Sequence, residues 1–114
     1  MHLQTSEFSV SFIEAEGRIV FEGSMRLRSA RDYDELKQLL RTAHGQDPPL
    51  LTLDFRGLKF LNSAGIGTIG QFIVEARKAD KVKIVLHGSS ARPWQPRSLG
   101  TFKRIWPKVE LTID

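Results

Sequence analysis

The sequence has no cysteine among its 114 residues, which excludes a disulfide framework and a thiolate metal site. It also lacks long apolar runs: the longest are a handful of residues, against the ~20 that a membrane-spanning helix needs. No basic segment leading into an apolar one opens the chain as a secretory signal would, so the cytoplasm is the expected location. Acids are missing from Lys81 to Lys108, where every charged residue is basic: Lys81, Lys83, Arg92, Arg97, Lys103, Arg104 and Lys108. They lie mostly earlier, at Glu7, Glu14, Glu16, Glu22, Asp32, Asp34 and Glu35, within a net charge of +4. A basic C-terminal third could meet an acidic partner or nucleic acid, but a solvated basic surface is the simpler reading. Internal repeats, low-complexity segments and linkers are absent. With 40% hydrophobic and 26% charged residues, the composition is that of one soluble globular domain spanning residues 1–114.

Alternation over Phe8 to Ala15, with Phe8, Val10 and Phe12 against Ser9, Ser11 and Ile13, predicts a half-buried strand. Glu16-Gly17 reads as a turn, and Arg18 to Gly23 as the returning strand of an opening hairpin. Ser29 with Asp32 three residues on resembles a capping box. The helix it announces runs from Ala30 to about His44, with Tyr33, Leu36, Leu39, Leu40 and Ala43 at helical spacing and Gly45 as its C′ residue. Leu50 to Phe55 reads as a central strand, followed by a tight bend and a helix from Ser63 to about Ala79. That helix has an apolar stripe of Ile66, Ile69, Phe72, Ile73 and Ala76, with Thr68, Gln71, Glu75 and Lys78 toward water. Val82 to Leu86 is a further strand, His87 to Ser90 a loop, and Leu99, Phe102, Ile105 and Trp106 suit a short helix ending before Pro107. Val109, Leu111 and Ile113 alternate as a last strand. The fold class is therefore α/β, in the order β-β-α-β-α-β-α-β. Parallel strands joined through helices sit beside an antiparallel hairpin in a small mixed sheet. The pattern leaves open whether helices cover one face of the sheet or both.

The chain's chemistry gathers at the bend. Asn62 is a strong N-cap, because its side-chain oxygen can accept from a first-turn N–H. Ser63 then takes the first helical position, facing water beside the positive end of the helix dipole, where a phosphate would be stabilised. Gly65-Ile66-Gly67-Thr68-Ile69-Gly70 matches G-x-G-x-x-G letter for letter, but about nine residues separate Phe55 from Gly65, and no acid follows between Val82 and Ser90. The dinucleotide reading fails on both counts, and no cofactor is expected. Gly67 and Gly70 are read instead as letting the helix lie close to the sheet. His44 and His87 stand apart from other ligands, and no nucleophile–base–acid set is legible, so neither a metal site nor an enzyme is expected. Trp94 and Trp106 among basic residues could stack on bases, although single tryptophans at apolar spacing more often serve the core.

The stretch Leu51-Thr52-Leu53-Asp54-Phe55-Arg56-Gly57-Leu58-Lys59-Phe60-Leu61-Asn62-Ser63-Ala64-Gly65-Ile66-Gly67 resembles the signature of STAS domains, the bacterial anti-sigma factor antagonists and their relatives. In that family a strand ending in Asp leads through a short loop to Asp-Ser-small-Gly-(Leu/Ile)-Gly at a helix start. The resemblance implies a STAS-like fold and a binding switch in transcription regulation. The Ser is phosphorylated by a serine-kinase-type anti-sigma factor, which abolishes binding, and a PP2C-type phosphatase restores it. Carried over, the phosphorylation site is Ser63, and the partner-binding residues are Asn62, Ser63, Ala64, Gly65 and Asp54. The family's Asp is Asn62 here, which keeps the cap and removes a charge. The region after Leu86, with its prolines and two tryptophans, departs from the family pattern. The alternatives are a non-phosphorylated STAS-like adaptor or ligand-sensing module and, behind it, a nucleic-acid binder using the basic third.

Overall fold

The computed structural model describes residues 1–114. Three strands open the chain: β1 (His2–Gln4), β2 (Phe8–Ile13) and β3 (Arg18–Met25), each antiparallel to the next. They are followed by α1 (Asp34–Gly45), β4 (Leu50–Leu61), α2 (Ser63–Ala79), β5 (Lys83–Gly88), α3 (Trp94–Ile105) and β6 (Glu110–Ile113). The six strands form one sheet in chain order, β1-β2-β3-β4-β5-β6, with β3 to β6 parallel. Each right-handed crossover therefore advances by one strand in the same direction, which puts all three helices on one face. Burial agrees. On β2, Phe8, Val10 and Phe12 are buried while Ser9 and Ser11 are half-buried, and on β5 Ile84 and Leu86 alternate with Lys83, Val85 and His87. Under the helices lies one core of 27 buried apolar residues, with the Phe21 and Phe55 rings stacked at 4.5 Å across β3 and β4.

Several elements differ from the sequence reading. β1 was not expected, so the opening pair is the inner part of a three-stranded antiparallel edge. A single 3₁₀ turn, Glu14–Glu16, leads into Gly17, whose φ of 60° makes the reversal; a Cβ there would collide with the Leu50 carbonyl. Ser29 does meet the Asp32 N–H, but this opens a 3₁₀ turn, Arg31–Tyr33, and the α-helix begins only at Asp34. Gly45 is still helical, and the left-handed residue past the helix is Asp47, at φ 54°. His87 and Gly88 belong to β5 rather than to a loop.

The largest correction concerns the segment after Phe55. It is strand, not bend: β4 continues to Leu61, pairing through Met25↔Leu61. Irregularities between Val20 and Glu22 and between Gly23 and Ser24 shift the register and move the buried positions from Leu53 and Phe55 to Leu58 and Leu61. On its other edge β4 pairs with β5 only as far as Asp54↔His87. Beyond that point the first turn of α3 takes over. The fully buried Gln95 amide donates to the Phe55 and Leu58 carbonyls at 2.5 and 3.0 Å and accepts from the Ser89 N–H at 2.8 Å. Trp94 Nε1 adds a bond to the same Leu58 carbonyl at 3.2 Å. Pro96 fits inside α3 because a first-turn N–H has no intrahelical partner to lose.

Candidate functional site

At the carboxyl end of β4 the chain turns directly into α2. Asn62 is the N-cap, in extended conformation, and its Oδ1 accepts from the Gly65 N–H at 3.0 Å. The same oxygen accepts from the Tyr33 hydroxyl at 3.0 Å, while Nδ2 donates to the Leu27 carbonyl at 2.6 Å. Tyr33 closes the ring by accepting from the Leu27 N–H at 3.1 Å. One amide thus fastens three elements: the helix start, the β3–α1 connection at Leu27, and the buried Tyr33 ring. Burial pushes the Tyr33 phenol up from its ordinary value, with Asp32 and Glu7 adding to that and the Leu27 bond opposing it. Asn62 uses its donor and its acceptor together. A carboxylate at this position would set an oxygen against the Leu27 carbonyl, a physical reason for amide in place of acid.

Ser63 follows as the first residue of α2, exposed, with no hydrogen bond to its hydroxyl. The Gly65 and Ile66 amides are taken by Asn62, leaving those of Ser63 and Ala64 without a protein acceptor. The first turn of α2 contains no acid. Dipole and free N–H groups therefore favour negative charge at Ser63. Three residues upstream Phe60 is 43% exposed, with the Arg26 guanidinium 5.2 Å from its ring centroid. Phe60 and Ser63 are thus both exposed where β4 runs into α2.

The structure brings Asn62, Ser63, Ala64 and Gly65 together. Ala64 is half-buried against the core, and Gly65 is buried, where a Cβ would strike the Leu61 side chain; Gly65 serves the cap with its N–H. Asp54 is elsewhere, mid-strand on the uncovered face of the sheet. It accepts from Arg18 at 2.8 Å and from the Arg56 guanidinium at 2.9 and 3.0 Å. Burial opposes its ionisation, but Arg56 and Arg18 outweigh burial and hold its carboxyl below the ordinary range. Arg56 continues to Asp114 at 3.3 Å, which also meets His87 at 2.9 Å. The glycine reading is corrected as well. A Cβ at Gly67 would meet nothing, and one at Gly70 would touch Ile105 and Phe102 of α3 rather than the sheet. Thr68, read as wet, is buried and bonds the Ala64 carbonyl at 2.8 Å. Sequence reasoning missed Tyr33 and Leu27 as partners of Asn62 and Gln95 as a buried polar joint, since their partners lie 29 to 40 residues away in the chain.

No protein-family model matches the sequence, and neither does any curated protein. Solved structures do. The chain is similar to apo-SiaC from Pseudomonas aeruginosa, with 16% identity, 100% of this chain and 97% of that one covered, and a TM-score of 0.74. A chain from the complex of the diguanylate cyclase SiaD with its activator SiaC, from the same organism, matches at 14% identity over 99% and 97%, TM-score 0.71. An anti-sigma factor antagonist from Mycobacterium paratuberculosis matches at 16% identity over 95% and 90%, TM-score 0.61. A sheet in chain order, helices on one face and a capped helix at the end of the long central strand thus make one architecture: the chain has the STAS-like fold of the anti-sigma factor antagonists.

Proposed function

We propose that this protein is a non-enzymatic regulatory adaptor that binds a partner protein at the start of α2 and releases it when Ser63 is phosphorylated. The observation that carries this reading is Ser63 itself, an exposed hydroxyl at the first helical position with two unpaired N–H groups beside it. A phosphate there carries ≈ −1.5 to −2 charges. In the free protein the dipole and the N–H groups stabilise it. In a complex it would be buried against a surface formed for a neutral hydroxyl, which favours release. By resemblance the partner is a serine-kinase-type anti-sigma factor, and a PP2C-type phosphatase resets the switch. The Asn62 cap fits this role, because it fixes Ser63 without placing a second negative charge beside it.

A second reading rests on the likeness to SiaC, the activator in a complex with a diguanylate cyclase. It is an adaptor that switches an enzyme on through the same corner. Intact-mass analysis of the protein from its native cells tests the switch. One phosphate in the wild type and none in Ser63→Ala is the expected result. An unmodified wild type across growth and stress conditions would overturn phosphorylation and leave the adaptor without it.

A further inference from the structure

Next to the hydrogen-bonded cluster of Asn62, Tyr33 and Leu27, between the β1–β2 turn and the start of α1, lies an open groove of about 340 Å³. Its floor is aromatic: the Phe8 and Tyr33 rings meet there at 6.4 Å between centroids, both nearly fully buried. Leu3 and Leu27 form half-buried walls, and Asp32 and Glu35 stand exposed at the mouth. The neighbouring acids are neutralised, Glu7 by Arg26 and Asp34 by Lys37, but neither Asp32 nor Glu35 is in any salt bridge. Two free carboxylates over an apolar slot are complementary to one kind of side chain, with a long aliphatic stem and a cationic end. A guanidinium suits better than an ammonium: it is more weakly hydrated and can bridge two carboxylates. Leu27 is shared. One side of it walls the groove, while its carbonyl is bonded to Asn62, the residue before Ser63.

We infer that this groove receives an arginine side chain of the partner protein docked at the start of α2, as a cationic anchor beside the Ser63 contact. The inference rests on the adaptor reading above and adds to it the chemistry of the partner: its docking surface presents an arginine to an acidic slot. The groove then supplies a contact that phosphorylation does not touch, and Ser63 decides whether the rest of the surface can close.

The test uses N-acetyl-arginine amide as probe and its neutral isostere N-acetyl-citrulline amide as control, titrated into ¹⁵N-labelled protein and followed by NMR. The arginine probe is expected to shift the Leu27, Tyr33 and Glu35 amides saturably, in the millimolar range, and the citrulline probe to leave them in place. In Asp32→Asn/Glu35→Gln, affinity should fall about tenfold or more, the loss of two charge-assisted contacts. Both residues are exposed, and an unchanged spectrum elsewhere shows that the fold is kept. Equal shifts with citrulline, shifts scattered over all acidic residues, or an unchanged affinity in the double variant would each overturn the assignment. The titration is done on unphosphorylated protein, so its outcome is independent of the mass measurement on Ser63. A groove that binds arginine in a protein never phosphorylated leaves the anchor standing and removes the switch. A phosphorylated Ser63 with an inert groove does the opposite.

Discussion

Replacing Asn62 by Asp asks whether the amide is needed as amide. The cap survives the change: Oδ1 still accepts from Gly65 and from Tyr33, and the new negative charge at the start of α2 adds about 0.3–1 kcal/mol from the dipole. The loss falls on the other atom. Nδ2 donates to the Leu27 carbonyl at 2.6 Å, and a carboxylate oxygen in its place is a second acceptor facing an acceptor. That removes a hydrogen bond worth about 1 kcal/mol and leaves the part-buried carbonyl unsatisfied, for a further 1–3 kcal/mol. The net expectation is destabilisation by about 1–3 kcal/mol, despite the better charge at the helix end. Urea denaturation reads this as a lower midpoint with an unchanged slope. Asn62→Ala serves as the reference: it loses the cap as well, for about 1 kcal/mol more, and should be the less stable variant. If Asn62→Asp matches or exceeds the wild type in stability, the Leu27 bond contributes nothing. The physical explanation of the amide at this position then fails.

Gln95→Leu should be more damaging than any surface change, because it leaves the Phe55 carbonyl and the Ser89 N–H without their side-chain partner and the Leu58 carbonyl with Trp94 alone; a loss of about 2–4 kcal/mol in a urea or thermal melt is expected. His44 gives the fold a pH dependence. Its Nε2 is buried without a partner, edge-on to Phe72, and its pKa is lowered, chiefly by burial and further by Lys81, with Asp47 and Glu75 opposing. The folded state therefore binds fewer protons than the unfolded one just below the ordinary histidine pKa. Stability should hold above about pH 6.5 and decline as pH falls toward the folded value. In His44→Leu this decline should vanish, while any loss from carboxylates such as Asp54 and Glu75 begins only further into the acid range.

The extent of helix α2 was legible because its signals are local: a capping Asn62, an apolar stripe, and an end at Ala79 before Asp80 in the left-handed conformation. The first half of β4 was legible for the same reason, a short run rich in apolar residues, Leu50, Leu51, Leu53 and Phe55. Its second half was not, since the register shifts against β3 break the alternation that marks a strand. β1 is three residues at an edge with only Leu3 turned to the core, too short for any period to show. At the site, the Asn62 cap and the place of Ser63 at the first helical position could be read, because both belong to one helix end. Tyr33 had been assigned to the core on spacing, and its hydroxyl's second task depends on a partner 29 residues away. Asp54 is grouped with the corner only by the resemblance to the family's signature. A residue's place on a pleated strand decides which face it points to, and Asp54 falls on the face away from the helices.

That uncovered face has a consequence of its own. A sheet with helices on one side only leaves its other face broad and bare, and Val20 and Val85 sit there half-exposed. Such surfaces in two copies of a protein are inclined to stack on each other. At the centre of this one stands an aspartate held between two guanidinium groups, extended by Asp114 and His87 toward the sheet edge. Another sheet could approach only by stripping water from several fixed charges at once, with no matching set to replace it. The bare side of the sheet thus stays wet by construction and offers no apolar seat for a second sheet.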